Sequence, residues 1–113
     1  MANWRFSLNA EGKELRSVIH EADTVEGSIQ TLNCILKCLE MIKLHVSEDE
    51  YSWYFEDMEA ACKEYTDEFQ EELNSDFSDT DEDAFYLYTE DCINEILGDF
   101  YNGCDALRIW VGL

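Results

Sequence analysis

The segment from Glu48 to Asp91 carries eighteen carboxylates and one basic residue, Lys63. It holds most of a formal net charge of −20 at pH 7, and like charges at this density oppose compaction. Such a chain folds only if enough apolar side chains are regularly placed. The sequence has six Phe, six Tyr and three Trp in 113 residues, and no proline to interrupt helices. We therefore expect one folded acidic domain over residues 1–113 rather than a disordered tail.

Apolar residues recur every three or four positions through most of the chain, a spacing typical of helices that bury one face. This spacing predicts about four helices, at residues 15–22, 29–46, 48–73 and 85–101. The aromatic residues of the acidic segment follow the same spacing, so the segment is not low in complexity.

Capping residues define the predicted helix boundaries. Ser47 precedes three acids, which suits a cap followed by negative charge at the positive end of the helix dipole. Thr24 and Ser28 both suit the start of the preceding helix. Asn102-Gly103 is typical of a helix end, because glycine takes the left-handed conformation easily.

The two ends of the chain have a different pattern. Residues 4–8 and 106–113 alternate apolar and polar side chains, which predicts two β-strands. Two strands alone are only marginally stable, so we expect them to pair and to pack on the helices. The predicted fold is therefore α+β: mainly helical, with a small β-sheet formed by the N- and C-terminal strands.

The second half of the predicted third helix and the loop after it hold the densest negative charge. Residues three or four positions apart share a helix face, so these carboxylates form one contiguous surface. We expect this surface to bind a partner. The predicted partner-binding residues are Glu64, Asp67, Glu68, Glu71, Glu72, Asp76, Asp79, Asp81, Glu82 and Asp83.

A surface of this charge favours a strongly basic partner, and most strongly basic surfaces exist to hold nucleic acid. The expected function is therefore that of a non-catalytic inhibitor, which occupies the nucleic-acid site of a basic nucleic-acid-binding protein. The acidic surface is not expected to bind nucleic acid directly, nor an anionic membrane. No nucleophile elbow, phosphate-binding loop or metalloprotease helix is present in the sequence. We expect no enzymatic activity and no cofactor.

Small, acidic, helical single-domain chains with interleaved aromatic residues resemble phage-encoded counter-defence proteins, including anti-CRISPR inhibitors and DNA mimics. The resemblance is one of class and rests on chain length and on residues 48–91. It implies a bacteriophage or mobile-element origin and a target that is a host defence nuclease or effector complex. An immunity protein or antitoxin that neutralises a basic toxin is the alternative.

Calcium binding is a third possibility. Asp79, Asp81, Asp83 and Glu90 occupy positions one, three, five and twelve of a calcium-binding loop. Ala84 stands at the sixth position, where the sharp turn of such a loop requires glycine. The competing interpretation is that these acids stabilise the start of the last helix through its dipole.

The sequence also carries residues that can ligate zinc, since Cys34, Cys38 and His45 lie near one line of the second predicted helix. Their spacing matches no common zinc module, so we expect no metal. An odd number of cysteines, four within helical patterns, favours small buried thiols in a reducing compartment. The first twelve residues lack the apolar core of a signal peptide, so we expect a cytoplasmic location, and the resemblance to phage proteins implies that the cell is a bacterial host.

Three aromatic residues fall off the main apolar stripes: Trp53, Tyr86 and Trp110. They are expected either to pack on a second surface or to anchor an interface beside the acidic residues. A homodimer contact would also account for them.

Overall fold

The computed structural model describes residues 24–77 and 81–107, which form three helices. Helix α1 spans Val25–Lys43, α2 spans Glu48–Asn74 and α3 spans Glu82–Ala106. Together they make the described part of the chain 88% helical. The predicted strand at residues 4–8 and the predicted helix at residues 15–22 lie outside this part.

The predicted α+β fold is wrong, because residues 24–77 and 81–107 contain helices and no strand, so the described fold is all-α. Ala106, the first residue of the predicted C-terminal strand, is the last residue of α3. The Leu107 N–H donates to the Gly103 carbonyl at 3.1 Å, so the helical hydrogen bonding reaches past the predicted stop. Phe100, Cys104 and Leu107 also keep helical spacing and pack in the core, and this burial outweighs the short alternating pattern. Residues 108–113 of that predicted strand lie outside the described residues.

All three helices begin at the kind of residue that the sequence indicates. Thr24, one of the two predicted caps, accepts a hydrogen bond from the Gly27 N–H at 3.0 Å. Ser47 and Glu50 form a reciprocal capping box at the start of α2, in which each side chain accepts from the other residue's N–H. Asp81 caps α3 by accepting from the N–H two residues later at 3.1 Å. These bonds satisfy N–H groups that have no partner within the helix.

The three helices run up, down and up around one hydrophobic core. Phe55 on α2 lies beside Phe100 on α3, with ring centroids 6.4 Å apart, and Phe69 lies beside Phe85 at 5.8 Å. This pairing makes α2 and α3 antiparallel, because residues late in α2 contact residues early in α3. Phe55, Phe69 and Phe100 are fully buried together with most of the α1 stripe. Burial of such side chains is the main favourable contribution to stability.

The predicted helix end at Asn102-Gly103 is wrong. Gly103 is buried inside α3, and a Cβ placed there would stand 2.7 Å from the ring of Phe55. Gly103 therefore lets α2 and α3 approach closely and does not supply a left-handed turn. Gly98, also a position where the sequence weakens the helix, is likewise inside a continuous α3.

All five cysteines are buried thiols, as the sequence predicts. Burial is the main reason why the pKa of Cys62 rises from 9.0 to about 12, with the Glu59 carboxylate adding to the effect. Burial, with Cys38 nearby, likewise raises the pKa of Cys104 to about 12. Thiols in this state are protonated at neutral pH and serve as small core residues.

None of the helices in residues 24–77 and 81–107 combines the length and the apolar character that crossing a bilayer requires.

Candidate acidic interface on helices α2 and α3

The negative charge is divided very unevenly among the helices. Helix α1 carries two acids and two lysines, so it is formally neutral. Helix α2 carries eleven acids and Lys63 alone, and α3 carries seven acids with no Lys, Arg or His. The antiparallel helices α2 and α3 therefore carry the negative charge, and they pack on α1, which is formally neutral.

Nine of the ten predicted partner-binding residues are described. Five of them lie on the second half of α2, Asp76 follows that helix, and three lie at the start of α3. Eight of the nine are exposed and Glu72 is half-buried. The tenth residue, Asp79, lies outside the described residues.

An aromatic cluster brings these two groups of acids to the same end of the bundle. Phe69 on α2 meets Phe85 edge-on at 5.8 Å and Tyr88 at 6.2 Å, both on α3. Tyr65 stacks on Phe69 at 5.8 Å, and Phe77 reaches Phe85 at 6.0 Å. Because the buried Phe69–Phe85 pair fixes the distance between the helices, the acids of late α2 and early α3 are held on a rigid support.

The turn after α2 is a Schellman motif, which directs the chain back toward α3. The Phe77 N–H donates to the Glu72 carbonyl at 3.3 Å, and the Asp76 N–H donates to the Leu73 carbonyl at 3.1 Å. Asp76 and Phe77 take φ values of 55° and 53°. Aspartate tolerates this left-handed conformation, but phenylalanine does so only at a cost, which contact with Phe85 offsets.

Glu68, one of the predicted partner-binding residues, also accepts a hydrogen bond within the protein. The Tyr88 hydroxyl on α3 donates a hydrogen bond of 3.3 Å to the Glu68 carboxylate on α2. Burial raises the pKa of Tyr88 above its ordinary value, and Cys92 and Glu68 add to this rise, so Tyr88 remains a proton donor at neutral pH. Glu68 thus links α2 to α3 by a hydrogen bond, in addition to contributing charge to the surface.

Three further carboxylates extend the acidic surface beyond the predicted segment. Glu95, Asp99 and Asp105 continue along the exposed side of α3. The acidic segment predicted from the sequence runs only from Glu48 to Asp91 and therefore does not include them. Counting charge by helix would have found them, because no basic residue occurs anywhere in Glu82–Ala106.

The structure supports the helix-start interpretation of the proposed calcium loop. Asp81 is the cap of α3, and Asp83 and Glu90 both lie on the helix. A calcium-binding loop needs a non-helical turn around its sixth position, whereas Ala84 is helical here. Among the described residues, no group of three or more His, Cys, Asp or Glu side chains is arranged to hold a metal ion.

The three residues considered as zinc ligands lie in different environments. Cys34 and Cys38 are buried in the core of the bundle, and His45 lies past the end of α1 and is half-buried. The two cysteines therefore act as core side chains, in agreement with the simpler interpretation of the sequence.

A cleft of about 350 Å³ lies between α1 and α2 and is lined largely by acidic residues. Lys43 in this cleft stands over the ring of Tyr51 at 5.1 Å from its centroid, an attractive cation–π arrangement. The Tyr51 hydroxyl is buried and has no hydrogen-bond partner among the described residues. Burial raises the pKa of Tyr51 above its ordinary value and the nearby Glu59 adds to this, although the two side chains do not meet in hydrogen-bond geometry.

Comparison of this chain with protein-family models, with curated proteins and with solved structures found no match.

Proposed function

We propose that this protein is a non-catalytic inhibitor, which binds a basic nucleic-acid-handling protein and occupies the site where that protein holds DNA or RNA. The observation that carries the proposal is the separation of charge: eighteen acids and one lysine on α2 and α3, against a neutral α1. The proposed target is a CRISPR-type or other defence nuclease, and the proposed place of action is the bacterial cytoplasm.

The dimensions of α2 support mimicry of a phosphate backbone. A helix of 27 residues is about 40 Å long, at about 1.5 Å per residue. Its eleven carboxylates give about one charge every 3.7 Å, close to the one charge per ~3.4 Å of a DNA strand. Helix α3 runs alongside and presents a second row of carboxylates, so a cationic groove would meet charge over a broad face.

The energetics of the fold also support a binding role for this charge. Repulsion among the acids of α2 and α3 destabilises the folded state, and the buried aromatic core has to offset it. Ordinary solubility requires a net charge of magnitude about 2–8 in a domain of this size. The net charge of this chain, −20, is far larger in magnitude. A basic partner would relieve the repulsion and would associate rapidly through electrostatic steering.

The test is capture from a bacterial lysate by the immobilised protein, with and without nuclease treatment, followed by washes of rising salt. The proposal predicts retention of a nucleic-acid-binding protein at moderate salt and its release by added duplex DNA or RNA. Retention should fall steeply with salt, because the interface is electrostatic. A captured partner that DNA and RNA do not displace would contradict the proposal and favour the antitoxin alternative.

A further inference from the structure

A groove of about 470 Å³ lies between the N-terminal half of α2 and the C-terminal half of α3. It is at the opposite end of the helix pair from the aromatic cluster of Phe69 and Phe85. Its lining includes Met58 and Gly103, which are buried, and it is open to solvent between the two helices. None of the nine predicted partner-binding residues that the structure describes lines it.

Trp53 lines this groove and is 83% exposed. An indole left in water is costly, and its burial on binding is correspondingly favourable. Tryptophan is also among the residues that contribute most at interface centres. Trp53 precedes Asp57 by four residues on α2, so the indole and the carboxylate lie on neighbouring turns of one helix face.

The charge of the groove selects a cation. Asp57 from α2 and Asp99 from α3 both line it and are exposed, and no Lys, Arg or His is among the described residues that line it. A second copy of this chain would bring acid against acid at this position, which disfavours self-association. The complementary occupant is a positively charged segment of another protein.

We propose that this groove receives an arginine side chain of the basic partner, with the guanidinium stacked on Trp53 and hydrogen-bonded to Asp57. Arginine fits better than lysine, because its planar guanidinium can stack on an indole and pair with a carboxylate at the same time. This inference rests on the proposed function and makes it more specific. The acidic surface at the aromatic-cluster end attracts the basic partner, and the groove adds an anchor that distinguishes arginine from lysine.

The test measures the binding of two probes, nona-arginine and nona-lysine, by titration calorimetry at physiological salt. The protein as it stands should bind nona-arginine about three- to fivefold more tightly than nona-lysine, because only the guanidinium can stack on the indole and pair with a carboxylate at once; this gain is similar in size to one exposed cation–π contact. Trp53→Ala should bring this ratio close to one and leave nona-lysine binding nearly unchanged. Leu44→Ala is the matched control, because Leu44 is also 83% exposed but lies away from the groove at the end of α1.

A second pair of variants separates the groove carboxylate from general charge. Asp57→Asn should weaken nona-arginine binding more than Asp67→Asn, which removes the same charge from an exposed position elsewhere on α2. Equal effects, or an arginine preference that survives Trp53→Ala, would overturn the inference. A dimer that Trp53→Ala converts to a monomer would also overturn it, since a second copy would then cover the groove. The peptide result is independent of lysate capture, so failure of this inference and failure of the proposed function are distinguishable.

Discussion

Gly103 on α3 lies so close to Phe55 on α2 that a Cβ at position 103 would stand 2.7 Å from Cε1 of the ring. No real side chain makes so short a contact without movement of its neighbours. Phe55 is fully buried and also packs against Phe100, so its ring has little room to yield. Because glycine has no side chain, Gly103 allows the two acidic helices to approach closely. Their distance in turn determines the width of the groove beside Trp53.

The first prediction is that Gly103→Ala destabilises the protein by about 2 kcal/mol, the usual cost of adding volume to a packed core. Gly98→Ala is the control, because Gly98 is exposed in the same helix and a Cβ there meets nothing within 4 Å. That control should gain about 0.5–1 kcal/mol from the lower backbone entropy of the unfolded chain. Chemical denaturation followed by circular dichroism measures both. Equal effects of the two variants would contradict the packing account.

A second prediction concerns the buried hydrogen bond between Ser28 on α1 and Thr89 on α3, whose hydroxyl oxygens are 2.9 Å apart. Thr89 donates its proton to the Tyr86 carbonyl at 2.7 Å, so Ser28 must be the donor to Thr89. Thr89→Val removes the acceptor and leaves a buried hydroxyl unpaired, at a cost of about 1–3 kcal/mol. The double variant with Ser28→Ala should cost less than the sum of the two single variants. Strict additivity in denaturant titrations would show that the two hydroxyls are not coupled.

The third prediction is loss of stability at alkaline pH. Burial raises the pKa of Cys62 from 9.0 to about 12 and that of Cys104 likewise, so the folded protein keeps protons that the unfolded chain releases. Their contribution is complete below pH 9 and is lost as the pH rises toward 12, at up to about 1.4 kcal/mol per pH unit for each thiol.

Cys62→Ala tests this account through the slope of unfolding free energy against pH between 9 and 11. The variant should lose stability less steeply than the parent protein in this range, whatever cost the smaller side chain carries at neutral pH. Parallel slopes would mean that Cys62 titrates normally in the folded state.

Much of α2 was predictable, because local sequence determines it. Ser47 caps the helix as the sequence predicts, and Phe55, Met58 and Phe69 are buried as their spacing predicts. Neither signal depends on other parts of the chain.

The errors arose where contacts between helices decide the outcome. The pair Asn102-Gly103 favours a helix end locally. However, Gly103 packs against Phe55, and α3 continues past this pair to Ala106. The bond from Tyr88 to Glu68 joins residues twenty positions apart on different helices, and helical periodicity does not contain that information. The acidic surface extends past the predicted segment for another reason: local charge density falls after Asp91, whereas the surface follows the whole of α3 to Asp105.

The measurement that tests the central claim most directly compares two charge-matched double variants in capture from a bacterial lysate. Glu64→Gln with Glu71→Gln neutralises two exposed acids of α2, and Glu26→Gln with Glu40→Gln neutralises two exposed acids of the neutral helix α1. The account predicts that the α2 variant loses about tenfold in affinity for the partner that DNA or RNA displaces, since each exposed ion pair contributes up to about 1 kcal/mol. The α1 variant should bind as the parent protein does. Equal retention of the partner by both variants would contradict the claim that the α2–α3 surface occupies a nucleic-acid site.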